Sequence, residues 1–180
     1  MTKLAIRVAE TIDAVNNRLA IIAMWALLLS CLISSGNAFV RFLFSNSSNG
    51  WLEIQWYLFA GAVMLGAANV LRLNEHVRVD VIYGQLRTRT KVYIDLAGLV
   101  FFLIPVMLLM IYFSWPLFFD KFMTGEMSSN YGGLIRWPVW FALPLGFFMV
   151  LLQGVSEAIK RVAWLTHQYE MNLVYERPLQ

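Results

Sequence analysis

Residues 51–80 of the 180-residue chain read WLEIQWYLFAGAVMLGAANVLRLNEHVRVD. The run from Ile54 to Leu71 carries no charged residue, and a charged hairpin from Arg72 to Asp80 follows it directly. At about 1.5 Å per residue, a helix over this run is nearly long enough to cross the roughly 30 Å hydrocarbon core of a bilayer. We therefore predict a transmembrane helix whose end is marked by the hairpin.

The composition extends this conclusion to the whole chain. Hydrophobic residues make up 59% and charged residues only 14%, with a mean hydropathy of +0.62. These values exclude a soluble globular protein with an ordinary surface, and the long continuous apolar runs exclude the alternating pattern of a transmembrane barrel. At about 20 residues per span, the chain accommodates about four spans and no separate soluble domain. The predicted fold class is an all-α integral membrane protein.

The predicted organisation is an amphipathic arm helix, a four-helix membrane domain and a tail. Residues 1–18 repeat apolar side chains at helical spacing, as in Leu4, Val8 and Ile12, so one face is apolar. Contact of this arm with lipid, contact with a partner and a simple solvated helix are open alternatives. The membrane domain covers residues 19–162, with spans at about 19–44, 51–71, 92–119 and 137–162, and the tail covers residues 163–180.

Prolines are expected to shape the third and fourth spans. Pro105 lacks a backbone N–H group and should kink the third span, and Trp115-Pro116 marks the predicted end of its regular part. In the fourth span, Pro138 suits the first helical turn. We therefore expect an interrupted third span and a fourth span that begins near Pro138.

The basic residues predict the orientation of the four spans. Four spans place the amino terminus, the middle hairpin and the tail on one side, which holds eleven Lys and Arg residues against three on the other. Cytoplasmic sides carry the excess of Lys and Arg, so both termini are predicted to be cytoplasmic. The basic residues lie at the ends of apolar runs and not on one soluble face, so lipid and not nucleic acid is the expected partner. The three on the opposite side are Arg41, Lys121 and Arg136.

Glu53 is the most unusual acid of the chain, because it lies in the first turns of the second span. A charge at the bilayer centre costs at least about 2.5 kcal/mol, whereas a carboxylate near the interface meets the positive end of the helix dipole. We therefore interpret Glu53 as a structural anchor that pairs with Arg41 or Arg136. Direct contact with a partner or an ion is the alternative.

The sequence offers no catalytic, cofactor or metal site that we can identify. Both histidines, His76 and His167, lie outside the predicted spans, so the bundle lacks a pair of haem ligands. The motifs CxxC, HExxH and GxSxG, typical of thiol, zinc and serine chemistry, are absent. A structural role is favoured for His76 over a proton relay, because charged residues surround it. Cys31 lies in an apolar run and is interpreted as a packing residue.

Four groups of residues follow one another in a characteristic order. They are Glu53 with Leu65-Gly-Ala-Ala68, Arg72 with His76-Val-Arg-Val-Asp80, Gly125-Glu-Met-Ser128, and Trp137-Pro-Val-Trp140 with Pro144-Leu-Gly146. In this order and spacing they resemble the small membrane subunit (DctQ-like) of TRAP, or tripartite ATP-independent periplasmic, transporters. The likeness covers nearly the whole chain as far as Trp164.

The resemblance implies a system of three proteins at the bacterial inner membrane. A large multi-span permease would hold the substrate and sodium sites, a periplasmic solute-binding protein would deliver an organic anion, and this chain would be a non-catalytic scaffold. We expect the hairpin to be ordered by charge-assisted hydrogen bonds, and Glu126 with Tyr131 to contact the binding protein. The matching polar positions, interpreted as structural or partner-interface residues, are Glu53, Arg72, His76, Arg78, Asp80 and Glu126.

Two other classes of function stay open from the residues alone. A small four-helix membrane enzyme acting on lipophilic substrates would need a polar pocket that the sequence does not locate. A self-assembling channel would place Ser34, Asn37 and Asn69 on a pore. A neighbouring gene for a large permease would favour the transporter subunit over both.

Overall fold

The computed structural model describes residues 3–45, 48–74 and 85–170, and within them the chain is helical apart from its connecting loops. One antiparallel bridge, between Met127 and Ile135, is the only extended pairing in these ranges. The helices are α1 (Lys3–Phe44), α2 (Asn49–Leu73), α3 (Thr88–Thr124) and α4 (Trp137–Leu165). All four are long and apolar enough to cross a membrane. For the described residues, this confirms the predicted all-α class and the expected number of helices that could span.

The first helix, α1, is longer than a membrane span. Its 42 residues would extend about 63 Å at about 1.5 Å per residue, roughly twice the hydrocarbon thickness of a bilayer. Residues 3–18, the predicted arm, form the first part of this helix, and no turn separates them from the predicted span. The helix therefore projects beyond an apolar layer of ordinary thickness.

Helices α1 and α2 form an antiparallel pair. The chain reverses direction near Ser45, whose φ is 49°. A Cβ atom at Gly66 would stand 3.8 Å from that of Ala23, and the Ser30 hydroxyl donates to the carbonyl oxygen of Gln55 at 3.1 Å. These contacts follow the two helices in opposite directions, and the small side chains allow the backbones to approach closely. The predicted antiparallel pairing of the first two spans is confirmed.

The third helix, α3, changes its pitch in the middle. Residues Leu99–Leu103 form a π-helical turn, in which the N–H of Ile104 donates to the carbonyl oxygen of Leu99. This wide turn precedes Pro105, whose missing N–H disturbs the regular pattern of helical hydrogen bonds. The expectation that the regular helix ends at Trp115-Pro116 is wrong, since α3 continues through Pro116 to Thr124. A proline removes a single backbone donor, and the hydrogen bonds on both sides of it maintain the helix.

The fourth helix, α4, lies at the centre of the described helices and contacts the other three. Its approach to α2 requires Gly146, because an added Cβ atom would lie 2.6 Å from the Cβ atom of Met64. In contrast, α3 packs mainly on α4 within the described residues. Its outer face therefore presents exposed side chains such as Phe101 and Phe102.

The interior of the bundle is small and polar, whereas the large apolar side chains face outwards. Among the described residues, the buried apolar positions are mostly alanines, and Val92 and Leu99 are the larger exceptions. Nine buried residues of the same ranges are polar or charged. Outward apolar surface is favourable in lipid, so helix contacts in a membrane depend on close packing and hydrogen bonds. Most of the buried polar residues gather at the two ends of the bundle.

Candidate functional site

Two groups of polar side chains lie at opposite ends of the bundle. The loop cluster, near the end of α1, joins α2 to the loop between α3 and α4. The helix cluster, near the start of α1, joins α1, α3 and α4. The loop cluster comprises Glu53, Ser128, Asn130 and Leu134, and the helix cluster comprises Asp13, Asn16, Asp95, Gln153, Ser156, Glu157, Lys160 and Arg161.

Glu53 is the centre of the loop cluster and is only 3% exposed. Its carboxylate lies near the start of α2 and accepts three hydrogen bonds from the segment 128–134. The donors are the Ser128 hydroxyl and Asn130 Nδ2 (2.8 Å) to Oε1, and the backbone N–H of Leu134 (2.7 Å) to Oε2. All three donors are neutral. A single carboxylate therefore fastens the loop to α2 through charge-assisted hydrogen bonds.

Gly133 allows the loop to come this close to Glu53. A Cβ atom at position 133 would lie 2.5 Å from the Cβ atom of Ser128 and 2.9 Å from Oε1 of Glu53. The carbonyl oxygen of Asn130 would also be 2.9 Å away. Any side chain at this position would therefore push the loop away from the carboxylate.

Glu126 forms a separate, charged group in the same loop. Its carboxylate accepts hydrogen bonds from Lys121 Nζ and from Arg136 Nη1 (2.6 Å). The bond from Lys121, and then the bond from Arg136, lower the pKa of Glu126 below its ordinary value. Arg136 is thus paired with Glu126, and the predicted ion pair of Glu53 with Arg41 or Arg136 is wrong. Neutral donors of the loop take the place of that ion pair.

Charged side chains of the helix cluster connect three helices. Lys160 Nζ on α4 donates to Asp13 Oδ2 on α1 at 2.8 Å, and also to Glu157. Arg161 donates to Glu157 and, at 3.3 Å, to Asp95 on α3. The side chains of Lys160, Glu157 and Arg161 are only 8%, 6% and 9% exposed. Because water reaches them so little, each charge depends on its partners for stabilisation.

Neutral side chains complete the helix cluster. Gln153 Nε2 donates to Asp13 Oδ1 at 2.9 Å, and the Ser156 hydroxyl donates to the same oxygen at 2.8 Å. Asn16 donates through Nδ2 to Gln153 Oε1 at 2.7 Å. Together with Lys160, these contacts give Asp13 three hydrogen bonds from α4. The first part of α1 is therefore held along the last turns of α4.

The chemistry that these clusters can perform is the fastening of helices and of a loop. Within the residues that the structure describes, no group of three or more His, Cys, Asp or Glu side chains could hold a metal ion. The carboxylates of Glu53, Asp13 and Glu157 are already occupied by hydrogen-bond donors. Such saturated carboxylates suit a structural role better than proton transfer to a substrate.

The sequence-predicted site residues fall into three places. Glu53 and Glu126 are brought into the same loop region. Arg72 lies at the other end of α2, where Nε donates to Asn69 and Nη2 donates to Asn17 of α1, both at 2.9 Å. The three that lie outside the described residues are His76, Arg78 and Asp80.

A comparison with known protein families assigns the chain. The family model for the DctQ component of tripartite ATP-independent periplasmic transporters matches residues 30–163. The chain belongs to the DctQ family. This DctQ protein is therefore a small membrane component of such a transporter, as the resemblance of its motifs predicts. Comparisons with curated proteins and with solved structures found no match.

The family match covers the loop cluster and the α3 and α4 parts of the helix cluster, but not Asp13 and Asn16. Reasoning from the DctQ sequence missed the helix cluster altogether. A signal was present in α4, where four polar residues follow the spacing of one helical face inside an apolar helix. They are Gln153, Ser156, Glu157 and Lys160.

Proposed function

We propose that this DctQ protein is the non-catalytic scaffold subunit of a sodium-coupled transporter that imports organic anions. Its proposed partners are a large multi-span permease and a periplasmic solute-binding protein, and its proposed location is the bacterial inner membrane. The observation that carries the proposal is the family match over residues 30–163. Sodium coupling and the organic-anion class rest on the resemblance to the family.

The fastening at both ends of the bundle supports a scaffold role. The loop cluster ties α2 to the connection between α3 and α4, and the helix cluster ties α1 to α3 and α4. A bundle held in this way has few low-energy rearrangements open to it, because polar networks and close helix contacts fix a single packing. It is suited to holding a partner in place while that partner moves.

Both termini are proposed to lie in the cytoplasm. The support is the excess of Lys and Arg, eleven against three, on the side of the amino terminus, the hairpin and the tail. In this orientation the helix cluster faces the cytoplasm and the loop cluster faces the periplasm. Glu53 would then fix the periplasmic end of α2.

The outer face of α3 is the proposed contact with the large permease. Phe101 and Phe102 are each 73% exposed, and Tyr112 is 71% exposed. Because α3 packs mainly on α4 among the described helices, this aromatic face is left open for another protein. Aromatic side chains are enriched at the centres of protein interfaces.

The loop between α3 and α4 is the proposed contact with the solute-binding protein. Tyr131 is 96% exposed, so its ring projects from the loop. Glu126 belongs to the same proposed contact, although Lys121 and Arg136 already engage its carboxylate. We therefore assign the larger share of the contact to Tyr131.

The hairpin after α2 is proposed to be ordered by its charged residues. Arg72 supports this role, because its guanidinium group joins Asn69 of α2 to Asn17 of α1 at the place where the hairpin begins. His76, Arg78 and Asp80 would extend the same network. An Asp80→Asn variant that assembles with the permease at wild-type yield would remove support for this role.

Solute uptake by proteoliposomes tests the proposed function. The vesicles contain the candidate permease and an inward sodium gradient, the binding protein is supplied outside, and the DctQ protein is either present or omitted. We expect uptake only when all three proteins are present, and we expect it to collapse with the sodium gradient. Uptake without the DctQ protein would contradict the proposal. Matched vesicles containing the DctQ protein alone should show none.

A further inference from the structure

A groove with both polar and apolar walls opens between α1 and α2 at the end of the bundle that carries the loop cluster. Its volume is about 560 Å³. The surrounding surface of α1 is apolar and exposed, as at Phe39 and Leu43. The residues that line the groove are Ser34, Asn37, Ala38, Arg41, Phe42, Leu52 and Gln55.

The groove offers hydrogen-bond donors that the chain does not use. Arg41 is exposed and makes no ion pair or hydrogen bond with any described residue. Asn37 lies one helical turn before Arg41, lines the same groove and likewise makes no hydrogen bond with any described residue. No carboxylate lines the groove, so the ligand that fits these donors is an anion.

The depth of the groove favours a lipid over a soluble anion. Arg41 lies three residues before the end of α1 at Phe44, and Gln55 lies six residues after the start of α2 at Asn49. At about 1.5 Å per residue, both side chains are within about 10 Å of the helix ends, where phospholipid headgroups meet the hydrocarbon. Phe42 supplies an apolar wall beside the donors, as an acyl chain requires.

We propose that this groove binds the phosphate headgroup of an anionic phospholipid. The Arg41 guanidinium pairs with the phosphate oxygens, for which its planar fork is well suited. The side-chain amide of Asn37 donates a hydrogen bond to the same headgroup. The bound lipid fills the gap between α1 and α2 at this end of the bundle. The proposal rests on the groove alone and does not depend on the scaffold function.

Native mass spectrometry of the purified full chain tests this site. The protein is titrated in detergent with phosphatidylglycerol or with phosphatidylcholine, and bound lipids are counted. We expect a preference for phosphatidylglycerol that Arg41→Gln weakens by about tenfold, as for the loss of one charge-assisted contact. The matched control is Arg18→Gln, which removes an exposed arginine from the first half of α1, away from the groove, and should leave binding unchanged.

A second variant separates lipid binding from folding. Asn37→Leu removes a donor that no described residue uses, so it should weaken phosphatidylglycerol binding without lowering the thermal stability of the lipid-free protein. A ligand role and a merely structural role therefore give different results.

Four outcomes would overturn the proposal. The first is equal binding of the two lipids, and the second is an equal loss of lipid binding in Arg41→Gln and Arg18→Gln. The third is competition by glycerol 3-phosphate that is as effective as competition by the whole lipid, which would assign the groove to a soluble anion. The fourth is an Arg41→Gln variant that keeps its lipid but no longer assembles with the permease, which would assign the groove to the partner protein.

Discussion

The loop cluster and the helix cluster both shield carboxylates from water, but they do so with different donors. Glu53 accepts hydrogen bonds from neutral groups of one short segment. The helix cluster instead combines acidic and basic side chains from three helices, with Glu157 between Lys160 and Arg161. Breaking the first cluster removes the support of one loop, whereas breaking the second leaves buried charges unpaired between helices. The difference predicts local loosening in one case and global destabilisation in the other.

The largest effect is expected from Glu157→Gln in the helix cluster. The amide keeps the shape of the side chain but leaves Lys160 and Arg161 without their shared counter-charge. Removing one partner of a buried ion pair costs about 3 kcal/mol, so we expect a loss of that size in the free energy of unfolding. Unfolding in mixed micelles, followed by circular dichroism, measures it. Glu10→Gln, which changes an exposed acid in the first part of α1, is the control. An equal loss of stability in both variants would contradict the buried network.

A steric change in the loop cluster should have a smaller effect. Gly133→Ala keeps every charge but places a Cβ atom 2.5 Å from the Cβ atom of Ser128. Overpacking of this kind costs about 2 kcal/mol, and relief by movement of the loop would lower that value. Amide hydrogen exchange in residues 126–136 measures the loss, because it reports the stability of the loop itself. Gly61→Ala is the matched control, because nothing lies within 4 Å of its added Cβ atom. If Gly133→Ala is as stable as this control, the loop does not depend on its close approach to Glu53.

The charge of Glu53 is expected to control the loop and not the whole fold. Glu53→Gln replaces a carboxylate that accepts three hydrogen bonds by an amide that cannot accept all of them as strongly. We expect amide hydrogen exchange in residues 126–136 to accelerate by about tenfold, with little change in the middle of α4. Mass spectrometry of peptic fragments resolves the two regions. Acceleration throughout the bundle would mean that the two clusters do not differ in the way proposed.

The smallest effect is a pH dependence of the same loop. The pKa of Glu126 is lowered by its hydrogen bonds from Lys121 and Arg136, so its ionised form stabilises the folded loop. This contribution is fully present above the ordinary glutamate pKa of about 4.3, and it is lost as the pH falls through the lowered pKa of the folded state. Hydrogen exchange, corrected for intrinsic rates, should therefore rise below about pH 4 in the wild type. Glu126→Gln should exchange faster already at pH 7, and identical profiles would contradict the role of Glu126.

The two clusters also show how much of this molecule could be predicted from its sequence. Apolar runs and charge placement identify the four spans, because the bilayer imposes length and polarity on every helix. Glu53 stands out because it is an acid at the start of an apolar helix. Its partners could not be predicted, since they belong to a loop whose shape depends on Gly133 and on tertiary contacts. The expected arginine partner was the wrong choice for this reason.

The helix cluster could not be predicted because its residues are far apart in the sequence. Asp13 and Lys160 form an ion pair although they are far apart in the chain. In the sequence, neither can be told from an ordinary polar residue near the end of a predicted helix. The polar face of α4 could have revealed half of the network, but not that the start of α1 would supply the other half. The π-helical turn before Pro105 could not be predicted either. A proline indicates that the helix is irregular, but it does not indicate which irregular conformation forms.

The central claim is that this DctQ protein stays rigid while its transporter works, and distances between spin labels test it most directly. One label is placed on Cys31, the exposed single cysteine on α1, and one on a Leu117→Cys variant on α3, outside the proposed permease contact, in the complete transporter in proteoliposomes. A preparation with unimpaired uptake is compared with and without sodium and solute. We predict one narrow distance distribution that does not change. A second population, shifted by more than about 5 Å or one helical turn, would show that the chain rearranges during transport and would contradict the scaffold account.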